Sequence, residues 1–151
     1  MDQVFSLSSL LIAPFWLLMI LAPGWRWTQR IVASPWIAAP AAALYVILVI
    51  PEIAQVLATV LNPDLQSIST LLATPRGTTI AWAHFLAFDL FVGRWIYLDA
   101  RPWLHHLALA PILFFTLMLG PLGLLCYLAV RALRKPAQHA HPAGSNPTSQ
   151  P

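Results

Sequence analysis

Three side chains able to exchange protons interrupt long apolar stretches of this sequence: Glu52, His84 and Asp89. Carboxyl and imidazole groups can donate and accept protons, so this combination could support acid–base catalysis. If the apolar stretches cross a membrane, a mid-membrane carboxyl such as Asp89 costs roughly 3 kcal/mol even on the most lenient insertion scale. Such groups therefore indicate a function or an essential pairing.

The charged residues also have structural interpretations. Glu52 could lie in a frayed helix end, and His84 could be a packing residue. Arg94 could be an anchor that reaches the headgroup boundary with its long side chain. Asp99 and Arg101 are interpreted as solvated loop charges.

The composition predicts the surroundings of these groups. Of the 151 residues, 59% are hydrophobic and 9% are charged, far below the quarter or so of charged residues in soluble domains. A chain this short cannot hide so much apolar surface from water, so we expect an integral membrane protein. The few basic residues form no stripe and predict no nucleic-acid binding. One cysteine excludes an internal disulfide framework.

Four apolar runs have the length needed to cross a bilayer, which takes about 20 residues: 4–22, 36–61, 80–98 and 111–133. Pro51 predicts a kink in the second run. Thr78 or Thr79 can cap the third. The Gly120–Gly123 segment predicts a bend in the fourth.

The fold class expected is an all-α membrane protein, a bundle of four transmembrane helices in residues 1–135. Residues 25–35 form a loop at the membrane boundary. Asn62 as cap and Pro63 at the first position predict a short interfacial helix over residues 63–74, between the second and third spans. Residues 136–151 are polar and Pro-rich, which predicts a disordered tail. Four crossings place both termini on one side, and we expect the cytoplasmic side.

Helix geometry leaves the relation between the polar groups open. The rise of about 1.5 Å per residue places Glu52, His84 and Tyr127 in one layer, on the terminal side of the midplane. At roughly 100° per residue, however, His84 and Asp89 point about 140° apart. Either the third helix is surrounded by protein on most sides, or these two groups serve different neighbours.

Three segments resemble one known family. They are TPRGTTIAWAHFLAFDLFVGRWIYLDAR from Thr74, FSLSSLLIAPFWLLMILAPGWRWTQRI near the N-terminus and GPLGLLCYL near the end. Together they are similar to the small membrane-protein family that contains plant neoxanthin synthase, which is tied to abscisic acid deficiency. The resemblance spans roughly residues 4–135. We expect no transit peptide, and the sequence has a Pro-rich tail of its own. We therefore expect a prokaryotic relative, multi-pass in the inner (cytoplasmic) membrane.

The resemblance implies an isomerisation of a carotenoid or related polyene. In plants the family converts violaxanthin to neoxanthin: an epoxide oxygen is protonated while a proton leaves the polyene. This chemistry needs an acid and a base but no cofactor, and the sequence contains no nucleotide motif. We expect His84 and Asp89, with Glu52, to be catalytic.

Further expectations concern ligands and partners. We expect Phe88, Trp95, Arg94 and Tyr127 to bind the substrate, and membrane lipids and a hydrophobic polyene to be partners, with homo-oligomers also open. We expect no metal site, because the pairs His105-His106 and His139-x-His141 have no carboxylate or thiol at the spacing of a further metal ligand.

Two other functions remain alternatives. The protein could bind a carotenoid or lipid without changing it. It could also conduct protons or ions, since Glu52, His84 and Asp89 lie at neighbouring depths.

Overall fold

The computed structural model describes residues 1–134, and its regular elements are all helical. No strand occurs in this part of the chain. Two 3₁₀ turns, Pro35–Ala38 and Ile50–Glu52, flank α3. The α-helices are α1 (Asp2–Leu21), α2 (Arg26–Ala33), α3 (Ala39–Val49), α4 (Ile53–Leu61), α5 (Leu65–Leu72), α6 (Pro75–Ala100), α7 (His106–Leu119) and α8 (Pro121–Arg134).

Within residues 1–134, two helical segments are long and apolar enough to cross a membrane: Asp2–Leu21 and Pro35–Leu61. Only 22% and 11% of their apolar windows are buried inside the protein. A core helix of a water-soluble protein would be mostly buried, whereas these helices present their apolar side chains outward. The structure therefore agrees with the predicted all-α class and with membrane association.

Helix α6 lies at the centre of the bundle and packs against α1, α3 and α7. Its contact with α1 depends on Gly93, because a Cβ atom there would overlap the indole of Trp16. One turn further, the buried Tyr97 donates a hydrogen bond to the Pro23 carbonyl at 2.6 Å. These two contacts fix the end of α1 against α6.

The predicted starts of two helices are wrong. Helix α6 is capped by Thr74, whose hydroxyl accepts from the Gly77 N–H, and not by Thr78 or Thr79. Helix α5 is capped by Asp64 and not by Asn62, and hydrogen bonding from Ser67 lowers the pKa of Asp64. In both places another side chain of the same local segment reaches the free N–H groups.

Two connections also differ from expectation. Residues 25–35, expected as a loop, contain the helix α2, whose polar and apolar residues lie on different faces. The kink expected at Pro51 is a 3₁₀ turn between α3 and α4. Proline lacks the N–H that a continuous α-helix needs there.

The predicted fourth helix over residues 111–133, with a bend at Gly120–Gly123, is wrong, because the chain reverses there and α7 and α8 form a hairpin. Gly120, between them, has a φ of 27°, a left-handed conformation that glycine adopts readily. A Cβ on Gly123 would overlap the backbone of Thr116. Residues seven apart in a straight helix lie about 10 Å apart along its axis, so this contact requires the chain to reverse.

The hairpin determines where the ends of the described chain lie. Its tip is beside Asp89, in the middle of α6, and α8 returns to Asp99, which pairs with Arg131. Met1 instead lines a surface cavity with Pro75, at the opposite end of α6. The expectation of both termini on one side therefore disagrees with residues 1–134, and the predicted tail lies outside the described residues.

We predict that Gly93→Val destabilises the protein by about 1–3 kcal/mol, because the added side chain must displace Trp16 from a packed contact. Thermal unfolding in detergent would measure this. Gly24→Val is the matched control, since nothing lies within 4 Å of a Cβ at that position. Equal stability of the two variants would contradict the proposed contact between α1 and α6.

Candidate functional site

His84 borders an apolar cavity of about 220 Å³ between α3, α4, α5 and α6. Its ring stacks on Phe88, with centroids 4.7 Å apart, and meets the edge of Tyr45 at 5.4 Å. The His84 imidazole makes no hydrogen bond within the described residues, so its nitrogens remain free for a ligand. The remaining cavity lining is Val56, Val60, Leu71, Leu72, Gly77, Ile80, Ala81 and Phe85.

A hydrogen-bonded corner between α5 and α6 closes one side of this cavity. The Thr78 hydroxyl donates to the Leu72 carbonyl at 2.6 Å, and the Thr74 hydroxyl donates to the Leu71 carbonyl at 3.0 Å. The Leu71 carbonyl also lies so close to Gly77 that a Cβ there would overlap it. The polar Thr74–Thr79 segment therefore holds α5 over the cavity.

Glu52 lies near this corner in an ion pair. Its Oε1 atom is 3.2 Å from Nε of Arg76, and both side chains are about one third exposed. The pair joins the turn before α4 to the first turn of α6. Glu52 therefore has a structural partner close to the cavity, although it is not among the cavity's lining residues.

Asp89 lies on a different face of α6 from His84. Its carboxylate contacts the hairpin tip, where a Cβ on Gly120 would be 2.5 Å from Oδ1. No hydrogen bond or ion pair engages Asp89 within the described residues. The structure does not bring Asp89 and His84 together, which agrees with the alternative that they serve different neighbours.

Arg94, expected to bind substrate, completes the C-terminal end of α2. Its guanidinium donates from Nε to the carbonyls of Val32 at 2.9 Å and Ser34 at 3.1 Å, and from Nη2 to that of Ala33 at 2.6 Å. These carbonyls have no partner within α2, and a cation is favourable at this end of a helix. These contacts give Arg94 a structural role at the end of α2, and its predicted contact with substrate stays a prediction.

Trp95 and Tyr127 belong to a second cluster, at the end of α6 away from the His84 cavity. The buried Tyr127 donates to Oδ2 of Asp99 and packs against the edge of Trp95 at 5.4 Å. Nε of Arg131 lies 2.8 Å from the same Asp99 oxygen. Tyr127 therefore does not share a layer with His84, because the hairpin carries it to the other end of α6.

Sequence reasoning missed two residues of these clusters. Asp99 is held by Tyr127 and Arg131 and is not a solvated loop charge. An acid in the last turn of a helix opposes the helix dipole, and this signal could have predicted a cationic partner. Tyr45 carries no such signal, because a tyrosine in an apolar run matches ordinary core packing.

We expect Arg94→Gln to lower the free energy of unfolding by about 1.5–3 kcal/mol, since charge-assisted hydrogen bonds to three carbonyls are lost. Thermal unfolding in detergent would show this loss. Arg26→Gln is the control, as Arg26 has no ion pair or hydrogen bond from its side chain among the described residues. If Arg94 instead bound substrate, stability would be unchanged while activity fell.

Comparison with known proteins identifies the family. A family model described as ABA DEFICIENT 4-like matches residues 3–127, well over half of the chain. No curated protein and no solved structure matches the chain. The matched region contains α6, with His84 on one face and Asp89 on another. It also contains the His84 cavity and the hairpin tip. It ends at Tyr127, the residue that holds Asp99. The chain belongs to the ABA DEFICIENT 4-like family.

Proposed function

We propose that this protein is a membrane isomerase that moves protons on a carotenoid or related polyene without a cofactor. The observation that carries the proposal is the placement of an imidazole, His84, and a phenol, Tyr45, side by side on one apolar cavity. Family membership supports it, because the resemblance to neoxanthin synthase implies this chemistry.

The cavity suits one end of a long apolar substrate. Its lining is otherwise aliphatic and aromatic. Among the lining residues, only the side chains of His84 and Tyr45 carry polar atoms. Phe88, expected to bind substrate, stacks on His84 and can hold the ring in place. The exposed Phe85 lies at the surface of the cavity, where the rest of a polyene can pass into lipid.

The reaction balances with one proton given and one taken. Tyr45 donates its hydroxyl proton to an epoxide oxygen as a C–O bond breaks. His84 accepts the proton of the neighbouring vinylic carbon, and the electron pair of that C–H bond forms the second double bond of an allene. Proton return from His84 to Tyr45 then restores both groups, and no electron acceptor is needed.

Asp89 and Glu52 are not the proton donor in this proposal. Asp89 lies beside the hairpin tip, and Glu52 is paired with Arg76, so neither is the acid in the His84 cavity. Their predicted catalytic roles stay predictions.

We expect His84→Gln and Tyr45→Phe each to lower product formation by about 10²-fold or more, the usual contribution of a general acid or base. Pigment analysis of a bacterial host that makes epoxycarotenoids would measure this. His139→Gln is the control, because residue 139 lies outside the family match. Full product formation by either cavity variant would contradict the proposed mechanism.

Non-catalytic binding is the second candidate, favoured by another apolar groove. This groove of about 350 Å³ lies between α1, α6 and α7 and includes Trp16 and Trp82. Trp82 donates to the Ser9 hydroxyl at 3.0 Å, which fixes its ring at the groove. Wild-type protein that copurifies with an unchanged pigment, and never converts it, would favour this function. Proton conduction has less support, because Glu52 is paired and His84 and Asp89 lie on different faces.

The hairpin also suggests how the protein lies in a membrane. We infer three crossings, by α1, by the α3–α4 segment and by α6, with α7–α8 entering and leaving from one side. Each hairpin helix has 14 residues, about 21 Å, which is less than the hydrocarbon thickness. Most arginines of the described chain lie on the side at which α6 ends, and Arg76 lies on the other side. Those at the end of α6 include Arg26, Arg30, Arg101 and Arg131. Basic residues favour the cytoplasm, so α1 begins outside.

Cysteine labelling in intact cells would test this arrangement in a Cys126→Ser background. We expect Gln3→Cys to react with a membrane-impermeant maleimide, and Leu133→Cys to react only after permeabilisation. Trp27→Cys is the reference, since α2 lies at the same end of α6 as Arg131 and should match Leu133→Cys. Equal labelling of positions 3 and 133 would instead support four crossings.

A further inference from the structure

A polar pocket of about 260 Å³ lies at the basic end of the protein, apart from the His84 cavity. It is formed where α1 ends, where α2 passes and where α6 connects to α7. Its polar side chains are Gln29, Arg101, His105 and His106, and none of its lining residues carries a carboxylate. The pocket therefore presents hydrogen-bond donors and positive charge without a negative group of its own.

The neighbouring acid does not neutralise this pocket. Asp99, two residues before Arg101, is held by Tyr127 and Arg131 on the side of α8. Residues two apart on a helix point about 160° from each other, so Arg101 turns away from that cluster. No ion pair to Arg101 occurs in the described chain.

The start of α7 adds to the positive character. His105 is its N-cap, with Nδ1 accepting from the Leu107 N–H at 3.4 Å. The ring of His106 lies beside it, with centroids 4.0 Å apart. The N–H groups of Leu107, Ala108 and Leu109 are already bonded to His105, so α7 contributes mainly its dipole, which favours an anion at this end.

The surroundings of the pocket are those of a membrane boundary. Three tryptophans at this end are exposed by more than half, as expected for rings at headgroup level; they are Trp25, Trp27 and Trp36. Arg30 lies over the Trp27 ring, 5.5 Å from its centroid. Leu104 and Leu109 form the buried floor of the pocket. A ligand with its phosphate in the pocket and its apolar part in the membrane beside these tryptophans would match the surroundings.

We infer that this pocket binds the phosphate group of an anionic membrane lipid. Arg101 contacts the phosphate oxygens, and the two histidines offer further donors. The Gln29 amide, which already donates to the Gly24 carbonyl at 3.2 Å, has one N–H left for the phosphate. The apolar part of the lipid extends out of the pocket into the membrane. The inference rests on the membrane placement proposed above and concerns a site separate from the proposed chemistry. Basic pockets on the cytoplasmic side of helix bundles are known to bind such headgroups.

Purified protein in neutral detergent would test the site by thermal unfolding with added phosphatidylglycerol, phosphatidylcholine or inorganic phosphate. We expect only phosphatidylglycerol to raise the unfolding temperature, and Arg101→Gln to weaken its apparent affinity about tenfold, as for the loss of one charge-assisted contact. Arg26→Gln, which removes an arginine outside the pocket at the same end, should keep the wild-type response.

Each other outcome overturns the inference in a different way. Equal stabilisation by inorganic phosphate would make the site a general anion site rather than a lipid site. Equal responses of Arg101→Gln and wild type would place lipid binding elsewhere. Native mass spectrometry of retained lipid provides a second measurement if a variant folds poorly. A failed lipid response together with the expected cysteine labelling would overturn the pocket alone and leave the membrane arrangement intact.

Discussion

The reversal of the chain at Gly120 is the constraint on which the arrangement of polar groups depends. It requires a backbone with positive φ at Gly120 and contact between α7 and α8 close enough to exclude a side chain at Gly123. Because α8 returns along α6, Tyr127 and Arg131 reach Asp99. The same reversal brings Arg131 to the end of the molecule that already carries Arg26, Arg30 and Arg101. A straight fourth helix would have carried Arg131 to the other end and left Asp99 without a cation.

Helix α6 separates two kinds of polar environment. One face presents His84 to a cavity closed by α5, and another presents Asp89 to the hairpin tip. Both groups lie in the interior of one helix, so sequence distance alone would suggest that they cooperate. The helix fixes their directions, however, and the neighbours on the two faces are different. The hydroxyl-bearing ring that meets His84 belongs to Tyr45 on α3, and not to a residue of α6 itself.

Many of the remaining polar side chains form hydrogen bonds with the free backbone groups at helix ends. Arg94 covers the last carbonyls of α2, Thr74 caps α6, and Tyr97 binds the carbonyl of Pro23 after α1. Inside a membrane such partners are needed, because an unpaired peptide group in hydrocarbon costs several kcal/mol. Even in a chain with few charges, a polar or charged residue within an apolar segment can therefore have a structural role. His84 differs from them in lacking any hydrogen-bond partner within the described chain.

The sequence by itself determined the class of structure and where most helices lie. Apolar length and the scarcity of charge predict helices in a membrane, and the ranges of α1, the α3–α4 segment and α6 follow within a few residues. These properties depend on local composition and spacing, which are visible along the chain. The resemblance in the Thr74–Arg101 segment likewise gave the family that the match over residues 3–127 confirms. Only the tertiary structure decided that the fourth run folds back, that Glu52 pairs with Arg76 and that Tyr45 faces His84. A Gly-Pro-x-Gly segment permits either a bend or a reversal, and the choice depends on contacts with Thr116 and Asp89. Pairings between helices depend on rotation and depth, which packing against neighbours sets and which one helix's sequence does not encode.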